Sequence, residues 1–558
     1  MKAKSYKKDE TSFFKKEKDG LDSRWEPYIA DIAFQTFVAK KAFPEYTFTS
    51  ALMLADKSVS ATVDGLHQKF LLKNINGRSV IDVPPDLKLN DLGAKILKII
   101  PTDIEVQFFL NQLYDGKNFE SYVSELAALC QDRKWISPRI TRSCGSCEFR
   151  VARQDLAGKN SGFENCWKAA TSIKSEDFEK PLLFDIWALD FRIKDRLLSE
   201  AKYFLTDVQF DDLSSTNKLK AKLKTISKKT NGLTRIERQW KQIELYSAKS
   251  KSSYFNAEDF LTVASHWKYP LHFIDFETIT SAIPFTKGLN PYETISFQFS
   301  HHDIEQSGKI THRHQFLSSQ PGEFPNFEFL RSLKKALDQD QGTIFRYATH
   351  ENTVLRHVKR QLEKSSEVDR HELIEFIDQL TVEKSPTGKI IRSGSRAMVD
   401  MLELVKNYYL SPLMGGSNSI KSVLPAILQE SEFLKNKYSK PIYGHSDGII
   451  SHNFKNKIWW QIENGKMIDP YKTLEPVFRD LDPTVLSVID RITDFEEIRE
   501  GGSASMAYAR MQLTQMGADE RGYIANALLK YCELDTLAMV MIYEYWIDLA
   551  NKTPHSKK

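Results

Sequence analysis

Long apolar runs, cysteines and an excess of one charge are all scarce in this chain, and each shortage removes a class of protein. No run of about 18 apolar residues occurs, so no membrane span is expected. The opening residues, from Met1 through Lys2, Lys4, Lys7 and Lys8, lack the apolar core of a signal peptide. Five cysteines in 558 residues are too few for a disulfide scaffold and fit a reducing cytoplasm. Lys and Arg total 78 against 74 Asp and Glu, a net charge of +4, so bulk charge neither demands nor excludes nucleic acid. Tandem repeats are missing, and low complexity is confined to one basic stretch. What remains, 41% hydrophobic and 27% charged, is an ordinary globular composition, and the length calls for about two to four domains.

The first 25 residues are polar and lysine-rich, as in a solvated chain start. Apolar periodicity then predicts a helix over residues 25–38, on which Asp31 and Gln35 stand one turn apart. Residues 48–54 and 58–63 read as strands, and residues 87–100 and 121–132 as helices. Cys144 and Cys147 form a C-x-x-C knuckle, with Cys166 downstream and Cys130 upstream. Such thiols could hold zinc or an iron–sulfur cluster; buried free cysteines are the alternative. An apolar helix is expected over 182–204. The basic segment 218–251 follows, with Lys228 and Lys229 among its cations and only Glu237 and Glu244 against them. It is either a solvated linker or a track for a phosphate backbone.

The second half is organised around His272-Phe273-Ile274-Asp275-Phe276-Glu277-Thr278. On a strand the side-chain period is two, so Asp275 and Glu277 project from one face. Paired carboxylates repel, and burying them calls for a cation, unless the strand is a solvated edge. Two further strands, 294–300 and 311–317, complete an antiparallel meander. A helix over 327–338 and a strand over 342–347 lead to Glu351 at a strand-to-helix junction, with a helix over 354–362. Asp400 opens another helix. The small and amide residues from Gly415 to Ser419, followed by Lys421, either present N–H groups to an anion or form a turn capped by Ser419. A long helix over 524–549 carries Tyr531 and Asp535 one turn apart.

Two acids on a first strand, an acid at a later junction and Y-x-x-x-D on a last helix have the order and spacing of a two-metal exonuclease. Magnesium prefers several hard oxygen ligands, and a tyrosine beside the last acid can orient the attacking water. On these motifs, and on Phe345 to Thr353 and Gly416 to Pro425, residues 270–545 resemble a bacterial domain of unknown function numbered 2779. That domain lies within the DnaQ-like, DEDD-type 3′–5′ exonucleases of the ribonuclease-H-like fold. The resemblance implies Asp275, Glu277 and Asp535 as ligands of two Mg²⁺ or Mn²⁺, with Tyr531 orienting water. Glu351 stands where the family has an aspartate, and Asp400 competes for that place. The first lobe resembles a RecB-like nuclease of the restriction-endonuclease fold: Asp31 to Val38 match its glutamine helix, and Lys2 to Ser5 the lysine half of an E-x-K motif. The acids that should precede them would fall before Met1, which implies either an N-terminally shortened lobe or one decayed to a binding platform, in both cases not an independent nuclease. Cys144, Cys147 and Cys166 would then be remnants of a four-cysteine [4Fe–4S] or zinc site whose first ligand is either missing or replaced by Cys130.

The expected fold is therefore mixed α/β. It comprises a RecB-like remnant over 1–175, a helical basic linker over 176–265 and a ribonuclease-H-like domain over 266–550. The expected activity is metal-dependent 3′–5′ exonuclease action on DNA or RNA, the partner being a single-stranded 3′ end contacted by Ser419, Lys421, Lys228 and Lys229. The alternatives are an inactive nucleic-acid binder on a nuclease fold and a metal-dependent hydrolase of small phosphate esters.

Overall fold

In the computed structural model, residues 4–7, 11–17, 19–75, 78–136, 138–151, 159–214, 232–250, 252–474 and 502–552 are described. The fold is mixed α/β. Its centre is a five-stranded sheet in the order Val399–Asp400, Ile344–Arg346, Leu271–Thr280, Thr294–Ile304, Ile310–Leu317. The first three strands run parallel and the last three form the antiparallel meander. Leu271–Thr280 is thus paired on both sides, as its apolar run Leu271, Phe273, Ile274 and Phe276 requires. Thr294–Ile304 is buried along its entire length.

One face of the sheet is covered by helices Asn326–Leu337, His350–Glu363 and Arg370–Leu380. They bury Ile274, Phe276 and Phe299 against Leu330, Val358 and Ile377. Against the other face lies Ala518–Lys552, a 35-residue helix whose middle is buried on all sides, from Cys532 to Tyr543. A helix with no solvated face belongs inside a layered domain. It packs on Phe273, Leu424 and Ile427.

The N-terminal region has a small sheet, Ser5–Tyr6, Ala51–Asp56 and Leu97–Pro101, with helices Glu26–Ala42, Asp103–Leu110 and Phe119–Gln131. It joins the central domain through the amide of Ala61, which donates to the Leu289 carbonyl, and through His67, stacked on Phe285 at 3.8 Å.

Three local expectations fail. Residues 87–100 do not form a helix: Leu89–Leu92 is one 3₁₀ turn, Gly93 takes φ +67°, and Leu97–Pro101 pairs antiparallel with Ala51–Asp56. Residues 58–63 form turns rather than a strand. Between 182 and 204 only Phe191–Ser199 is α-helical: Asp190 caps its start, while Asp185 closes a separate 3₁₀ turn, Leu183–Asp185, by accepting from the Leu182 amide.

Within the basic segment, Lys228 and Lys229 lie outside the described residues. Arg238 does not face solvent. It is 1% exposed on helix Arg235–Ser247, and its guanidinium donates to the carbonyls of Val405 (3.0 Å), Lys406 (3.1 Å) and Tyr409 (2.7 Å) and to Asn418 Oδ1 (2.5 Å). Desolvation of a guanidinium is costly, and four oxygen acceptors offset it. The bond to Asn418 fixes the turn that precedes Lys421. Among the described residues, no helix is long and apolar enough to cross a membrane.

Candidate metal centre

Asp275 and Glu277 sit in the middle of the first strand, opposite Ser300 and Gln298 of its antiparallel neighbour. Both project toward the long C-terminal helix, where Asp535 is only 7% exposed. Ligand oxygens of Asp275, Glu277 and Asp535 lie within 4.8 Å of one another, so residues 260 positions apart in sequence meet at one point. Among the described residues this is the group of three that converges closely enough to hold a metal ion.

Glu351 lies in the first turn of helix His350–Glu363 and is 1% exposed. Its Oε2 is buried with no hydrogen-bond partner among the described residues. An oxygen in that condition is a strong acceptor with its solvation removed and nothing yet in return. Asp400 differs. It caps helix Met401–Tyr408: Oδ1 accepts from the amides of Leu402 (3.0 Å) and Ala348 (3.1 Å), and Oδ2 accepts from Arg346 (3.0 Å). Its oxygens are already engaged.

The electrostatics follow from crowding acids in a dry place. Burial, then Asp535, Glu351 and Glu277, holds the Asp275 carboxyl well above the usual carboxylate range. Burial and Asp535 do the same to Glu277, with Lys421 opposing. Asp535 is pushed up to about 6 by burial, with Lys421 and a hydrogen bond from Tyr471 limiting the rise. Glu351 reaches about 8, again chiefly through burial, with Arg346 opposing and Asp400 and Asp535 adding to it. These four titrate as a group, and a divalent cation is the counter-charge that would favour all their ionised forms at once.

Around the acids stand groups of other kinds. Lys421, in the first turn of helix Ile420–Glu430, donates to the Tyr531 hydroxyl. Its ammonium lies 4.9 Å from the Tyr531 ring centre and 5.4 Å from that of Tyr471. Ser419 caps the same helix, accepting from the Lys421 amide at 3.3 Å. Tyr471 donates to Asp535 Oδ1, and the Cys532 thiol lies 3.6 Å from Asp275 Oδ2. Sequence reasoning missed Tyr471 and Cys532. Cys532 lies within the Tyr531 to Asp535 motif, where its contact depends on which face of the helix meets the first strand. Tyr471 belongs to the 3₁₀ turn Pro470–Thr473, capped by Asp469. The turn is legible from Asp-Pro, but its destination is not.

The first-lobe candidates stay apart from this centre. Asp31 is half-buried and Gln35 exposed on helix Glu26–Ala42, and Lys2 lies outside the described residues. Cys130 is exposed, while Cys144, Cys147 and Cys166 are partly buried free thiols. Burial, with Cys147 and Cys144 nearby, raises the Cys166 thiol. Among the described residues these cysteines form no group of converging ligands like that of the acids.

No curated protein and no solved structure matches the chain. Residues 272–419 match the family described as Domain of unknown function (DUF2779), a span that holds Asp275, Glu277 and Glu351 and ends two residues before Lys421.

Proposed function

We propose that this chain is a metal-dependent nuclease that removes nucleotides from a 3′ end, built on a DnaQ-like, ribonuclease-H-like domain of the DEDD type. The observation that carries the reading is the convergence of Asp275, Glu277 and Asp535, from a central strand and a distant helix, on one point. The donor set suits the expected group: all are hard carboxylate oxygens fit for Mg²⁺ or Mn²⁺, and the unpartnered Glu351 Oε2 offers another. Bound there, two such ions would supply a water nucleophile at neutral pH and would offset charge on the leaving 3′ oxygen.

The chain's own contributions follow from the contacts. Asp275, Glu277 and Asp535 would hold the ions, with Glu351 as the fourth carboxylate. The Lys421 ammonium donates to Tyr531, which polarises that hydroxyl and makes its O–H a better donor to the attacking water. Lys421 also keeps a positive charge beside Glu277 and Asp535, where an anionic phosphate has to approach. In this reading the first lobe serves as a binding platform, and the activity does not draw on its cysteines.

The test is degradation of 3′- and 5′-labelled single-stranded DNA and RNA by the purified chain with Mg²⁺ or Mn²⁺. Stepwise shortening from the 3′ end, lost on chelation and in Asp275→Ala and Asp535→Ala, is the expected result. Salt-sensitive binding without shortening, unchanged in those variants, would instead identify an inactive nucleic-acid binder.

A further inference from the structure

Behind the acids, the same helix is joined to the two strands beyond Leu271–Thr280, Thr294–Ile304 and Ile310–Leu317, by a second polar assembly that the proposed chemistry does not use. Thr536, the residue after Asp535, has its hydroxyl 2.8 Å from Ser300 Oγ and 2.7 Å from His302 Nδ1. His302 Nε2 lies 2.9 Å from the Tyr443 hydroxyl, which donates to Glu533 Oε1 at 2.6 Å. Glu533 Oε1 is 3.3 Å from His312 Nδ1, and His312 Nε2 is 3.0 Å from Ser300 Oγ. These contacts form a ring of six side chains, closed between Glu533 and His312 by proximity rather than by a hydrogen bond, since neutral His312 accepts the His452 amide at Nδ1. Ser300 is 1% exposed and the other five are fully buried. Ser451 and Asn453 donate to Glu533 from outside the ring.

The direction of the bonds is partly determined. Tyr443 has one proton and gives it to Glu533, so its oxygen accepts from His302 Nε2–H. Burial keeps His302 neutral, which leaves Nδ1 as an acceptor for the Thr536 hydroxyl. Thr536 then accepts from Ser300. In the sheet register Ser300 is the residue directly opposite Asp275. A short chain of contacts therefore runs from Asp275, across the ladder to Ser300, through one hydroxyl–hydroxyl bond to Thr536, and along one peptide unit to Asp535.

An apolar interface would hold helix and sheet together equally well but would tolerate small slides and rotations. Directional bonds do not, and a buried polar network is retained only when every member is satisfied. Resting on the reading of the acids as a metal centre, we propose that Thr536, backed by this ring, is a positioning residue. It sets the separation of Asp535 from Asp275 and hence the affinity of the centre for a divalent cation. Partners behind metal ligands have this effect on metal sites in general.

The experiment is calorimetric titration of the full chain with Mn²⁺, alongside far-UV circular dichroism and thermal melting. Thr536→Val keeps the shape and removes the hydroxyl; Thr536→Ser restores the hydroxyl; Tyr443→Phe opens the ring at a point remote from the acids. Expected are a loss of Mn²⁺ affinity of about tenfold or more in Thr536→Val and a smaller loss in Tyr443→Phe, with Thr536→Ser within about twofold of the unsubstituted chain. Should Thr536→Val fail to fold, the comparison of Tyr443→Phe and Thr536→Ser decides. Unchanged affinity in Thr536→Val and Tyr443→Phe, or equal losses in the Val and Ser variants, overturns the positioning role alone. An unsubstituted chain that takes up no Mn²⁺ overturns the metal reading and this inference together.

Discussion

Asp535→Asn should make the metal-free protein more stable while destroying its capacity to be stabilised by metal. Asp535 rises from its ordinary 3.8 to about 6 in the fold, chiefly because burial disfavours its charge. A shift of about two units corresponds to roughly 3 kcal/mol. The sign follows from the direction. A carboxyl whose folded pKa is raised favours the native state while it stays protonated, and that contribution is lost as pH climbs through about 6. Asparagine is neutral throughout, can still accept from Tyr471, and offers an N–H to the facing carboxylates. The variant should therefore match the unsubstituted chain near pH 4 and exceed it by roughly 3 kcal/mol at pH 8. In a unit of several hundred residues that is about 5 °C in Tm. Saturating Mn²⁺ at about a hundredfold its Kd should raise the Tm of the unsubstituted chain by a comparable amount, from about 2.7 kcal/mol of linkage. The variant should show no such rise. Scanning calorimetry with and without EDTA from pH 4 to 8 measures all of this. A stability gap that does not change with pH, or a variant less stable at pH 8, would refute the argument that the acids are crowded without sufficient counter-charge.

Two further outcomes bear on the neighbours of that carboxylate. Tyr471→Phe removes a donor that favours the ionised Asp535, so the Asp535 pKa should rise further and Mn²⁺ affinity should fall about threefold to tenfold at pH 6.5. The loss should shrink by pH 8.5, where the carboxylate ionises regardless; equal losses at both values would count against the mechanism. Asp400→Asn should cost stability of about 1–3 kcal/mol, because it weakens a helix cap and the Arg346 pair, yet leave Mn²⁺ affinity within about twofold. Glu351→Gln should do the reverse, and titration calorimetry on the two variants tells a cap from a ligand.

The residues legible in the sequence were those whose geometry depends only on local repetition. Asp275 and Glu277 share a face because a strand has period two, and Tyr531 and Asp535 share one because a helix closes a turn in about four residues. The meander and the long last helix were likewise readable, since their apolar residues recur over many positions. Residues 87–100 were misread because their leucines and isoleucines fit a helix as well as a strand, and pairing with Ala51–Asp56 decided the matter. The same limit explains what was missed around the centre. Glu533 looks in sequence like a surface acid between Cys532 and Leu534, and it is fully buried only because His302, His312 and Tyr443 come from other parts of the chain to receive it. Tyr471 and Lys421 meet across Asp535 from two separate turns. Periodicity identifies which face of an element carries the acids. What sets their charge, spacing and counter-ions is supplied by residues that no local repeat connects to them, so the composition of the centre was far more legible than its tuning.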